Sequence, residues 1–246
     1  MNKPILVLGA TSAVARATAA QLAERGHSLF LAGRNQEALD RNAQDLRIRY
    51  GIDIHTGLFD SQNYASHKKL VASAIDTMGS LAGVLVSFGY IGDAHAAEKR
   101  VDEAVTIIAR NFTGAVSVLT HVANELEARG DGFIVALTAA PNERATQTNY
   151  VYTAARAGLI AYLDGLRTRL APHGVRVITV KPNPLEASLP LGETRALLEP
   201  TTDELAKRIV QAISDGNETV YVQSLLGPLM QAVKLIPEQV LKRWGP

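Results

Sequence analysis

Cysteine is absent from the 246 residues, which excludes disulfides and thiolate metal sites and fits a reducing compartment. Neither sign of charge is in excess. The formal net charge is +1 and no basic run of the kind that tracks a phosphate backbone occurs, so no nucleic-acid partner is expected. No apolar run approaches the roughly 20 residues of a membrane-spanning helix. The start, Met1-Asn2-Lys3-Pro4, leads directly into an apolar strand and is too short and strand-like for a secretory leader. Internal repeats, low-complexity segments and metal-ligand clusters are also missing. A cytoplasmic protein without a metal centre is the expectation.

What is present fits a globular chain: 47% hydrophobic and 20% charged residues, enough for one α/β domain with a substantial core. Ile5-Leu6-Val7-Leu8 is a continuous apolar run, as a parallel strand buried on both faces requires. A small-residue turn follows, then an alanine-rich helix to about Arg25, with Gly26 closing it before a second strand, Leu29–Ala32. Further strands are expected at 52–58, 81–87, 133–138, 174–181 and 219–222. Between them lie helices over 36–49, after Asp60, over about 101–126, 150–170 and 202–215. This alternation predicts a Rossmann-type, doubly wound α/β domain with a seven-stranded, mostly parallel sheet and helices on both faces. The domain is expected to span 1–224, with 225–246 as an amphipathic helical tail of the same domain.

The turn after the first strand, Gly9-Ala10-Thr11-Ser12-Ala13-Val14-Ala15, is the first candidate site. In a strand–turn–helix unit the helix N-terminal amides face a pyrophosphate, and small residues let the backbone approach it. The dinucleotide fingerprint uses three glycines; here Gly9 stands alone, with Ala13 and Ala15 in the other two places. The second strand runs into Arg34-Asn35. An arginine there suits a ribose 2′-phosphate better than a free 2′-hydroxyl, so NADP(H) is expected in preference to NAD(H).

The second candidate is the helical stretch from Tyr150 to Leu170. Tyr152 and Arg156, four residues apart, project side by side from one face. A permanent cation beside a phenol stabilises charge on its oxygen and makes the pair a candidate for proton transfer.

These stretches together resemble the short-chain dehydrogenase/reductase family, whose active-site helix reads Tyr-x-x-x-Lys. The resemblance covers nearly the whole chain. It implies that Tyr152 is the general acid/base, and that Arg156, in the lysine place, is its charge partner and a ribose ligand. Asn111, within Asn-x-x-Gly at 111–114, would anchor a proton-relaying water; a structural kink is the alternative. Gly9, Thr11, Ser12, Ala13, Val14, Asn35, Phe88, Gly89 and Pro182 would line the cofactor. Asp60 would contact the adenine amino group or cap the next helix, or do both.

The departures from the family pattern are as specific as the matches. Ala139 stands where the family has a catalytic serine, and Thr138 replaces it only if the strand has ended or bulged by then. Asn183 and Ala187 stand where glycine and threonine are usual. Phe88-Gly89-Tyr90 resembles a subgroup that includes reductases of polyprenyl-linked sugars, and so does the tail.

Leu226, Leu229, Met230, Val233, Ile236, Val240 and Leu241 form an apolar stripe in that tail. It suits the chain's own core, a partner subunit, or peripheral contact with the inner membrane face through 225–244. The implied activity is interconversion of a small-molecule carbonyl and alcohol, on a substrate that is lipid-linked in that subgroup, by a homodimer or tetramer. The alternative is a catalytically silent protein of the same fold that binds NADP(H), or a partner subunit, as sensor or scaffold.

Overall fold

The computed structural model describes residues 3–138, 150–181, 201–216 and 219–221. Alternating apolar strands and helices build one seven-stranded sheet, in the order β3-β2-β1-β4-β5-β6-β7. The strands are β1 Ile5–Leu8, β2 Leu29–Gly33, β3 Ile54–Leu58, β4 Gly83–Val86, β5 Gly132–Leu137, β6 Val175–Lys181 and β7 Thr219–Tyr221. Every adjacent pair is parallel, so the sheet is wholly rather than mostly parallel. The third and fourth strands start two residues later than the sequence pattern suggests, because Ile52 and Leu81 pack beside the sheet without joining its ladder.

The central strand explains the layering. Ile5, Leu6, Val7 and Leu8 are all fully buried, and strand alternation sends Leu6 and Leu8 to one face and Ile5 and Val7 to the other. On the first face they meet α3 (Tyr64–Met78), α6 (Gly114–Arg129) and α7 (Tyr150–Leu170). On the second they meet α1 (Ala13–Glu24), α2 (Gln36–Tyr50) and α8 (Thr202–Asp215). A strand with no solvent face cannot alternate polar and apolar residues, which is why β1 reads as an unbroken apolar run.

The long helix expected over 101–126 is instead three pieces: α5 (Val101–Ile108), a π-helical turn over Ala109–Thr113, and α6. A short α4 (Ala94–Lys99) precedes them. None of the helices among the described residues is long and apolar enough to cross a membrane. Pro182, Ala139, Asn183, Ala187 and the tail lie outside the described residues.

The sheet order places β1 between β2 and β4, with chain connections leaving in opposite directions. Ligands of open α/β sheets bind at the carboxyl ends of the strands at such a switch point.

Candidate active site

A cleft of about 250 Å³ opens at that switch point. Its floor is the turn after β1. Gly9 has φ 79°, and a Cβ there would lie 2.8 Å from the Ser87 carbonyl oxygen and 2.9 Å from the Phe88 Cβ. Any side chain would therefore push the β1 turn away from the β4 end. Ser12 caps α1 by accepting from the Ala15 amide, and its hydroxyl lies 2.8 Å from that of Ser87. The Ala13 and Val14 amides head the helix without a partner among the described residues, as a phosphate site needs.

The two alanines that replace fingerprint glycines do not obstruct this cleft. The methyl of Ala13 is exposed toward the groove between α1, α2 and α8, and Ala15 is buried in the core. Thr11, Gly33 and Arg34 form one wall. Arg34 is exposed and has neither a hydrogen bond nor an ion pair among the described residues. Asn35 is committed elsewhere: its side chain N-caps α2 by accepting from the Ala38 amide at 3.0 Å, which argues against a ligand role.

The opposite wall comes from the segments after β3 and β4. Phe59 and Phe88 pack ring on ring with centroids 5.1 Å apart. Asp60 does not line the cleft, and it does not cap α3, whose N-cap is Asn63. Its carboxylate instead accepts from the Gln62 amide, closing a tight turn that presents Ser61 to the cleft. That turn is pinned from below by fully buried His67. Nε2 must carry its proton to donate to the Asp60 carbonyl at 2.9 Å, so Nδ1 accepts from the Ser117 hydroxyl at 2.8 Å. Burial holds the His67 pKa below the ordinary imidazole value, the hydrogen bond to Asp60 opposing it.

Gly114, the last residue of Asn-x-x-Gly, serves the same wall. A Cβ on it would stand 2.3 Å from the Ser61 carbonyl oxygen, so glycine is what lets the helix and this turn meet.

Tyr152 and Arg156 stand one turn apart on α7. The Arg156 Nε donates to the Tyr152 hydroxyl at 3.2 Å, and the guanidinium carbon lies 5.4 Å from the tyrosine ring centre. Arg156 is buried, and its two terminal nitrogens donate to the Leu137 and Phe88 carbonyls, each at 3.3 Å. The guanidinium fork therefore joins Tyr152 to the ends of two strands. It also dictates glycine at 89, where a Cβ would sit 2.2 Å from a terminal nitrogen of Arg156.

Asn111 is fully buried in the π-helical turn. Its Oδ1 accepts from the Tyr90 amide at 3.0 Å, and its Nδ2 donates to the Tyr90 and Ile107 carbonyls at 2.6 and 2.8 Å. The kink and the asparagine are thus one feature, with the side chain fixing the backbone of the β4 turn. Thr138 follows the last residue of β5, but its hydroxyl donates to the Val180 carbonyl at 3.1 Å. That bond ties the Thr138 side chain to the end of β6.

The cleft-lining residues that sequence reasoning did not assign to the site are Gly33, Phe59, Ser61, Ser87, Tyr90 and Arg110, although Tyr90 stood out as part of the Phe88-Gly89-Tyr90 turn. Ser61 and Ser87 follow the ends of β3 and β4, a position that the strand-end rule alone would have flagged. Arg110 gave no signal beyond preceding Asn111.

A wholly parallel sheet with a tight glycine turn at its switch point, a capped helix and a half-buried tyrosine bonded to a buried arginine define an α/β protein of the doubly wound class. The family model "short chain dehydrogenase" matches residues 3–194. The chain is 32% identical over 240 residues, 98% of its length and 96% of the relative's, to an uncharacterized oxidoreductase of Mycobacterium tuberculosis. Among solved structures it resembles a metagenomic short-chain oxidoreductase in complex with NADP (19% identity, TM-score 0.76, covering 89% of this chain and 95% of that one). It also resembles an NAD+-bound xylitol dehydrogenase (23% identity, TM-score 0.69, covering 87% and 77%). The chain belongs to the short-chain dehydrogenase family.

Proposed function

We propose that the protein is an NADP(H)-dependent oxidoreductase that interconverts a carbonyl and an alcohol. The observation that carries this is the hydrogen bond from buried Arg156 to the Tyr152 hydroxyl, the same guanidinium also donating to the carbonyl of Phe88, which lines a cleft whose floor needs glycine. When bound, the nicotinamide supplies or accepts the hydride. The chain's own part is to hold that cofactor and to manage one proton. The Ala13 and Val14 amides would receive the pyrophosphate, and unpaired Arg34, with no acid beside it at the end of β2, would take a 2′-phosphate. Tyr152 would donate its hydroxyl proton to the carbonyl oxygen in reduction and recover it in oxidation. The guanidinium of Arg156 would stabilise the charge left on the phenol oxygen.

Isothermal titration with NADPH and NADH, followed by turnover on a panel of carbonyl compounds, tests the reading. Micromolar NADPH binding, weaker NADH binding and activity lost in Tyr152→Phe are expected. No binding of either dinucleotide would overturn it. Lipid-linked sugars belong on the panel because of the Phe88-Gly89-Tyr90 turn. Full-length protein and a chain ending at Gln223, compared by liposome co-sedimentation, test whether the tail carries membrane contact.

A second reading, a silent binder of NADP(H), is favoured by one observation: the Thr138 hydroxyl, next to the serine's place, donates to the Val180 backbone carbonyl. Activity created from none by Ala139→Ser with Arg156→Lys would establish it. We further propose assembly as a homodimer or tetramer through α5 and α7. On these helices Val101, Val105, Ile108 and Tyr150 are exposed, and the first three repeat at one-turn spacing on one face of α5.

A further inference from the structure

The cleft carries a second arginine that the reading above does not use. Arg110, from the π-helical turn, lines the wall opposite Arg34, and no carboxylate lines the cleft among the described residues. Its position is set by two uncharged partners. Nε donates to the Gln62 side-chain oxygen at 2.7 Å, and the guanidinium carbon stands 4.5 Å from the centre of the Tyr90 ring. Tyr90 is itself held, its hydroxyl donating to Glu103 at 3.0 Å and its amide donating to Asn111. Neither terminal nitrogen of Arg110 has a partner among the described residues, and no acid lies within ion-pair distance.

A planar cation held by a turn on one side and an aromatic ring on the other is preorganised for a flat ligand. The anionic parts of a dinucleotide are already provided for, by the head of α1 and by Arg34. The wall made by Phe59, Ser61, Tyr90 and Arg110 is what remains for the purine base.

We propose that Arg110 is a specificity-determining residue for the adenine base, stacking on the ring the guanidinium face turned away from Tyr90. The proposal rests on dinucleotide binding in this cleft. It predicts a signature opposite to that of Arg34, because the base is common to NADPH and NADH whereas the 2′-phosphate is not.

The test is isothermal titration of full-length wild type, Arg110→Met and Arg110→Lys with NADPH, NADH, AMP and nicotinamide mononucleotide. Arg110→Met is expected to weaken NADPH, NADH and AMP by a similar factor of about ten, the scale of one base-stacking contact, and to leave nicotinamide mononucleotide unchanged. Arg110→Lys, which keeps the charge but not the plane, is expected to recover less than half of that loss. A loss confined to NADPH would overturn the proposal in favour of a phosphate contact, as would full recovery by lysine. Unchanged binding of all four would overturn it outright. Gln62→Leu separates a role in holding the turn, since it breaks the tether but leaves the guanidinium; a loss equal to that of Arg110→Met would also overturn the stacking role. If wild type binds neither dinucleotide, the cofactor reading itself has failed, a different result from wild-type binding that Arg110→Met leaves intact.

Discussion

Arginine in place of lysine four residues after Tyr152 changes what that position is able to hold. A lysine offers one nitrogen; the Arg156 fork bonds Tyr152, Leu137 and Phe88 at once from a buried site. Arg156→Lys is therefore expected to leave at least one of the two strand-end carbonyls unsatisfied and to cost about 1–3 kcal/mol in urea unfolding. An unchanged midpoint would show that the fork contributes nothing. Gly89→Ala places a methyl against the guanidinium and should reduce turnover at least as much as Arg156→Lys does, measured on whichever carbonyl substrate wild type accepts. At Arg34, replacement by Ala should weaken NADPH by about tenfold or more while leaving NADH nearly unchanged, since the charge-assisted bond exists only to the 2′-phosphate. Equal losses would remove the NADP(H) preference.

The strands and their order of appearance were legible in the sequence because a strand buried on both faces is written as an apolar run, as Ile5–Leu8 shows. The break at Ala109–Thr113 was not, since apolar spacing continues through a π-helical turn and only the mid-helix asparagine marks it. Side chains that fold back on their own turn were equally hidden: the Asn35 side chain caps α2, and the Asp60 carboxylate closes the turn that follows it. The turn over residues 59–62 also depends on His67, which yields an element-scale prediction. Its folded pKa lies below the unfolded value near 6.5, so the unfolded chain binds more protons as pH falls. The stability concerned is fully present above about pH 6.5 and is lost as pH drops through the folded pKa. Thermal melts from pH 7.5 to 5 should show a steeper decline for wild type than for His67→Gln. The contribution of His27, lowered mainly by burial as well, is common to both. Parallel declines would show that His67 is not the group responsible.

For the whole molecule, the exposed apolar face of α5 beside Tyr150 carries the assembly prediction. Val105→Glu with Ile108→Glu is expected to convert the oligomer to monomer in light scattering without lowering the unfolding midpoint by more than about 0.5 kcal/mol, since neither side chain is buried in the chain itself. A wild-type protein already monomeric at micromolar concentration would dispose of it. The convergence of distant parts of the chain on residues 88–90 has a different consequence, one for sequence history. With a terminal nitrogen of Arg156 only 2.2 Å from where a Cβ of residue 89 would sit, the two positions are not free to vary independently. A side chain at 89 requires the Arg156 guanidinium to give way, whereas a shorter residue at 156 meets no steric obstacle from Gly89. The two orders of substitution are therefore not equivalent, and a path toward a bulkier β4 turn is easier begun on α7.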